Sequence, residues 1–127
     1  MHRSRLAAIG IDCPSETALD TATFWRTALE PAASPPHEIP AKDPYVEVGS
    51  VAGRPVFVQE IGDGPARVHL DIETDDVEAE VARLEAAGAV RVRQVDTWWV
   101  MRDPAGLPFC VVRPQTDDFP GDAAIWR

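Results

Sequence analysis

Arg67-Val68-His69-Leu70-Asp71-Ile72-Glu73 alternates polar and apolar side chains throughout, the pattern of a half-buried β-strand. The residues after this strand decide the fold. Asp75 stands three residues before Glu78, an approximate capping box with Asp in place of Ser or Thr. Val77, Val81 and Leu84 then recur at helical spacing, and Gly88 suits the C′ position of that helix. Three short strands are expected after it, at 90–95, 98–102 and 107–113. Asp103-Pro104-Ala105-Gly106 supplies the turn between the last two.

The residues before this stretch show the same order. Positions 6–13 read as a strand, with Ile9, Ile11 and Cys13 alternating against Ala8, Gly10 and Asp12. Pro14-Ser15 opens a helix with Ser15 as the expected N-cap, and Ala18, Ala22, Trp25 and Leu29 make its apolar stripe. The segment 31–44 holds Pro31, Pro35, Pro36, Pro40 and Pro44, which suits a loop with one short edge strand rather than a central strand. Segments 45–48 and 55–61 flank a turn at Gly53 as a hairpin, and Gly62-Asp63-Gly64-Pro65 divides the chain. At an offset of 53, Ala52-Gly53 falls on Ala105-Gly106, Pro55 on Pro108 and Val58 on Val111. The first strands align at an offset of 61, with Ala8 on His69. The expectation is therefore an α+β domain covering 1–127, with a βαβββ module at about 6–61, a second at about 66–114, and a tail at 115–127.

Bulk properties narrow the class. The 127 residues suffice for one domain with a real core, and 45% hydrophobic and 26% charged residues are ordinary for a globular chain. A formal charge of −9 repels phosphate backbones, so no nucleic-acid partner is expected. No apolar run approaches the roughly 18 residues of a membrane span, so no membrane partner is expected either. Met1-His2-Arg3-Ser4-Arg5 leads into a strand without a signal-peptide h-region. Cys13 and Cys110 make no disulfide framework, and reduced thiols in a cytoplasmic protein are expected. No Gly-rich phosphate loop, Cys-x-x-Cys pair or nucleophile elbow occurs. In the tail, Asp117, Asp118 and Asp122 precede Ile125 and Trp126; Trp126 is expected to dock on the body or on a partner subunit, against the alternative of a disordered tail.

Val68-His69-Leu70-Asp71-Ile72, followed by Asp75-Asp76-Val77 and Leu84-Glu85-Ala86-Ala87-Gly88-Ala89, resembles the second module of glyoxalase/bleomycin-resistance/dioxygenase proteins, the vicinal oxygen chelate superfamily. So does Trp99-Val100-Met101-Arg102-Asp103-Pro104-Ala105-Gly106-Leu107-Pro108-Phe109-Cys110-Val111-Val112, with its Asp-Pro-x-Gly turn between strands. The first module carries Ile9-Gly10-Ile11-Asp12-Cys13-Pro14 and Phe24-Trp25 where relatives show Phe-Tyr. The resemblance covers the chain to about Pro114. It implies two tandem βαβββ modules forming a curved mixed sheet with a central cleft, and helices on the convex face. It also implies a homodimer.

In metal-dependent members four cleft positions bind one divalent ion, and the resemblance carries these to Ala8, Phe57, His69 and Cys110. Alternation agrees with that placement: with His69 in the cleft, Asp71 and Glu73 join it while Leu70 and Ile72 go to the core. Ala8 in the cleft sends Ile9 and Ile11 to the core, and Cys110 sends Phe109 and Val111 under a helix. Ala8 and Phe57 offer no donor atom, so no metal and no cofactor is expected, although Gln59 and Asp71 could join His69 and Cys110. Two readings of His69 stand: an imidazole bonded to Asp71 or Gln59, and a metal ligand. Cys110 reads as a small buried hydrophobe against a ligand or nucleophile.

Turn pairing about Gly106 places Trp99 and Met101 on the face of Cys110, alongside Val48, Phe57 and Gln59; a one-residue slip would exchange Trp98 for Trp99. The expected ligand-binding set is His69, Asp71, Cys110, Phe57, Gln59, Trp99 and Met101. Exposed aromatics are equally readable as dimer contacts. Asp12, Asp71 and Glu73 would make the cleft acidic, against plain solvation at strand ends. Three functions remain open, in this order. The first is a metal-free protein binding a small, partly aromatic molecule. The second is a lyase, isomerase or dioxygenase with an atypical metal site, or a metal-free acid/base catalyst using His69 with Asp71. The third is an interaction module with a vestigial cleft.

Overall fold

The structure is a computed structural model and describes residues 1–30, 32 and 36–127. The fold is α+β with mixed strand pairing. In chain order the elements are β1 (His2–Cys13), α1 (Ala18–Leu29), β2 (Tyr45–Val51), β3 (Arg54–Glu60), β4 (Arg67–Thr74), α2 (Val77–Ala86), β5 (Val90–Val95), β6 (Trp98–Arg102), β7 (Pro108–Val112) and β8 (Ala124–Trp126). The second half thus has the expected order β4–α2–β5–β6–β7. In the first half only two strands follow the helix among the described residues. The edge strand expected within 31–44 is not found at 36–44, and positions 31 and 33–35 lie outside the described residues.

The chain divides into two compact units, Ala8–Val68 and Met1–Ala7 with His69–Arg127. In the first, β3 lies between β2 and the C-terminal half of β1, antiparallel to β2 and parallel to β1. Its core joins Cys13, Val56, Val58 and Val48 to Ala18 and Ala22 of α1, with Ile9, Ile11 and Trp25 packed against them. Small alanines let α1 approach the sheet closely. Gly49 continues this, because a Cβ there would sit 2.8 Å from the Leu29 Cβ. Ser15 does not cap α1: it starts a 3-10 turn, its hydroxyl donates to Glu60 (2.6 Å), and α1 begins only at Ala18.

In the second unit the strands run β1–β4–β7–β6–β5, with β8 pairing β1. β4 and β7 are parallel, and β6 is antiparallel to both of its neighbours. Val81, Met101, Phe109 and Val111 form the core, with Leu70, Ile72, Val77, Leu84 and Trp99 packed on it. Helix α2 is capped one residue later than the sequence suggests, by Asp76, whose carboxylate accepts the Ala79 N–H at 3.0 Å. Asp75 is instead occupied by Arg3, accepting its backbone N–H (2.7 Å) and its guanidinium (2.8 Å). Gly88 follows the helix at φ +117°, as expected of a C′ residue.

Candidate functional site

The parallel register of β4 and β7 sets Asp71 beside Cys110 and Ile72 beside Val111. Side chains in register share a face. Leu70, Ile72, Phe109 and Val111 therefore point to α2, while His69, Asp71 and Cys110 share the opposite face. His69 is buried, and its Nε2 lies 3.4 Å from Asp71 Oδ1. Asp71, one of the partners expected for this imidazole, thus lies close to it.

The β6–β7 hairpin corrects the sequence reading. Its register pairs Val100 with Cys110, Met101 with Phe109 and Trp99 with Val111. Trp99 and Met101 thus face α2, and Met101 is fully buried in the core. On β6 the residues sharing the Cys110 face are Trp98, Val100 and Arg102. The cause lies in the turn. Asp103 N–H donates to Leu107 O (2.9 Å), so 104–106 form a three-residue loop with Gly106 at φ +91°. Asp103 Oδ1 also accepts the N–H groups of Ala105 (2.9 Å) and Leu107 (2.7 Å). A three-residue loop shifts the pairing by one step from the register assumed, and every β6 side chain changes face. The signal was present in the order Asp, Pro, x, Gly, because Gly at the third loop position marks such a loop.

The acidic character expected on this face is largely neutralised. Glu73 is completely buried, where Thr116 donates to it and Arg5 lies 3.4 Å away. Arg5 itself reaches Thr116 (2.6 Å), Asp118 (2.6 Å) and Asp122 (2.8 Å), and its guanidinium lies 5.5 Å from the Phe119 ring centre. The tail therefore meets this face at its Glu73 end. Neither Arg5 nor Thr116 was expected at the site, since a tail contact more than a hundred residues away leaves no periodic signal. The tail ends on the body, with Trp126 Nε1 donating to Ser4 Oγ (2.8 Å) and Arg83 stacked 3.7 Å above its ring.

In the unit Ala8–Val68, the register Gly10 to Phe57 and Asp12 to Gln59 puts Phe57 and Gln59 on the face away from α1. Phe57 is half-buried with the Tyr45 ring 5.6 Å away, edge-on. Asp12 is buried 3.5 Å from Arg67, a second carboxylate of the expected acidic set compensated internally. Val48, expected beside Phe57, is instead in the core, because a register shift between Glu47 and Gly49 turns β2.

The superfamily's four-ligand metal set does not fit these residues. Ala8 and Phe57 bring no donor atom, and a His–Cys pair alone is too small a set for a stable divalent site. Among the described residues no group of three or more His, Cys, Asp or Glu side chains is placed to hold an ion. Cys13 and Cys110 are not in a disulfide, and burial pushes the Cys13 thiol up, above its ordinary range.

A helix packed across a parallel strand pair, the Asp-Pro-x-Gly hairpin and the polar strand face at His69 define a glyoxalase-like domain. The sequence profile of the glyoxalase-like domain family matches residues 8–112, and the chain belongs to that family, within the vicinal oxygen chelate superfamily. No curated protein matches the chain. Among the described residues no helix is long and apolar enough to cross a membrane.

Proposed function

We propose that this glyoxalase-like protein binds a small, partly aromatic molecule without a metal ion, on the strand face that carries His69, Asp71 and Cys110. The supporting observation is the register that lines up Asp71, Cys110 and Val100 across three strands. It gives an apolar wall, extended by Trp98, with an imidazole and a carboxylate at its edge. A mostly apolar surface with few polar groups suits an aromatic ring that carries a hydrogen-bonding substituent. Phe57 and Gln59 are proposed as ligand contacts of their own unit, Ala8–Val68, and on the His69 face Trp98 replaces Trp99 and Met101. The chain is further proposed to act as a cytoplasmic homodimer.

Thermal shift with a library of substituted aromatics tests this, together with metal analysis of the purified protein. A binding compound should raise the melting temperature with increasing concentration, and Cys110→Trp should abolish the effect by filling the wall. One tightly bound divalent ion per chain, lost on His69→Ala, would overturn the metal-free reading. The 3.4 Å contact between His69 and Asp71 favours one alternative, a metal-free acid/base catalyst in which Asp71 orients the imidazole. Turnover of a bound compound, lost in His69→Gln while binding persists, would establish it.

A further inference from the structure

A cavity of about 650 Å³ opens on the other side of the same strands, at the N-terminus of α2. Its position follows from the ladder. Ile72, Val111, Trp99 and Gln94 form one row facing α2. Two residues further along each strand, Thr74, Arg113 and Thr97 make the next row on that side, and all three line the cavity. The row lies beyond the core, where the parallel strands β4 and β7 end and α2 begins. Crevices at the carboxyl ends of parallel strands are where open sheets with crossing helices take ligands. The volume lies within the range of small-molecule pockets.

Charge accounting specifies the ligand. Three of the four carboxylates around the cavity are occupied: Asp75 by Arg3, Asp76 by the Ala79 N–H, and Glu78 by Arg91 at 3.3 Å. Asp96 and the Arg113 guanidinium have no side-chain partner among the described residues, and both are exposed. Opposite charges at the rim of one cavity have not joined each other. Trp99 lines the same cavity, with the Arg91 guanidinium 4.9 Å from its ring centre, and its indole nitrogen is buried with no hydrogen-bond partner among the described residues. A buried donor left unpaired is uncommon and favours an acceptor moving in. A lone carboxylate would satisfy Arg113 and leave Asp96 opposed; a lone ammonium would do the reverse.

We infer that this cavity is a second ligand site, separate from the His69 face, and that it takes an amino-acid-type zwitterion. The ligand's carboxylate meets the Arg113 fork, its ammonium meets Asp96, and its side chain lies on Trp99.

The test is an NMR titration of the full chain that follows the Trp99 indole N–H signal, assigned by its loss in Trp99→Phe. Three probes of one shape are compared: L-leucine, L-leucinamide without the carboxylate, and 4-methylpentanoate without the ammonium. Leucine should bind about tenfold more tightly than either analogue, as expected for one charge-assisted hydrogen bond. Arg113→Gln should erase its advantage over leucinamide, and Asp96→Asn its advantage over 4-methylpentanoate. Both variants are at exposed positions, and asparagine tolerates the φ of +49° at residue 96. Equal affinity for all three probes, tighter binding of either analogue, or no movement of the signal with any of them overturns the inference.

Discussion

Glu80 lies on α2 with no exposed surface, and its carboxylate is held by Arg83 through two hydrogen bonds of 2.8 Å and by His2 at 2.8 Å. Burial pushes its pKa up, but hydrogen bonds from Arg83, His2 and Ser4 outweigh that, and the net shift is downward. A carboxyl whose folded pKa is lowered contributes its full stability above its ordinary value, here 4.5, and loses it as pH falls through the folded value. Asp75 acts in the same direction, led by the hydrogen bond from the Arg3 backbone. Glu80→Gln should therefore cost about 2–4 kcal/mol near neutral pH, since it leaves a partly buried guanidinium without its counter-charge. Urea unfolding across a pH series should show the gap closing below about 4.5; a constant gap would mean the carboxylate's charge contributes nothing. The two thiols differ for a related reason. Cys13 is 1% exposed with its thiol pushed up by burial, while Cys110 is partly accessible. Iodoacetamide on the native protein, read by peptide mass spectrometry, should label Cys110 well ahead of Cys13. Equal labelling would contradict the core placement of Cys13.

Between α1 and β2 the packing depends on one missing side chain. A Cβ at Gly49 would lie 2.8 Å from Leu29 Cβ and 3.0 Å from its Cδ1. The first of these atoms is fixed to the helix backbone, so no rotamer change relieves the clash. Gly49→Ala should force α1 outward and destabilise the fold by about 1–3 kcal/mol, measurable by chemical unfolding; an unchanged midpoint would show that the helix shifts without cost. This contact also marks where the sequence stopped being readable. In β7, apolar from Pro108 to Val112, only the resemblance that carries Cys110 to the cleft set the face; in β1 and β4 the core faces were legible because Ile9, Ile11, Leu70 and Ile72 alternate with small or polar residues, and period-2 alternation has one physical meaning. Helix α2 was legible for the same reason at its own period. β6 was not, because Trp98, Trp99, Val100 and Met101 are all apolar and either face could be the buried one. Only the loop length at 104–106 decided it, and that moved Trp99 from the His69 face to the α2 side. Asp75 and Asp76 were similarly ambiguous, since both can cap and only the position of Arg3 separates them.

At the scale of the whole chain, β1 carries two kinds of attachment. Its residues Ala8–Cys13 belong to the unit built with α1, and His2–Ala7 belong to the unit built with α2. That second stretch is held from both sides. Ladder pairing joins His2 to Trp126 and Ser4 to Ala124, and Arg5 binds Asp118, Asp122 and Thr116 while facing the buried Glu73. Arg5 is nearly buried, so a charge removed from water depends on tail residues that are themselves exposed. Deleting residues 116–127 would leave Glu73 and Arg5 with only each other, separated by 3.4 Å, and would open the β1 edge. Removing partners from buried charges costs about 3–5 kcal/mol. The truncated chain should therefore melt well below the intact one, with amide protection lost first at 2–7 and 73–75. Arg5→Met with Glu73→Met separates charge from coverage, because it removes both buried ions while keeping the tail. If the tail serves mainly to satisfy Arg5, this double variant should retain most of the intact stability and show weaker salt dependence. If it melts as low as the truncated chain, the ion cluster itself, rather than the cover the tail provides, holds β1 in place.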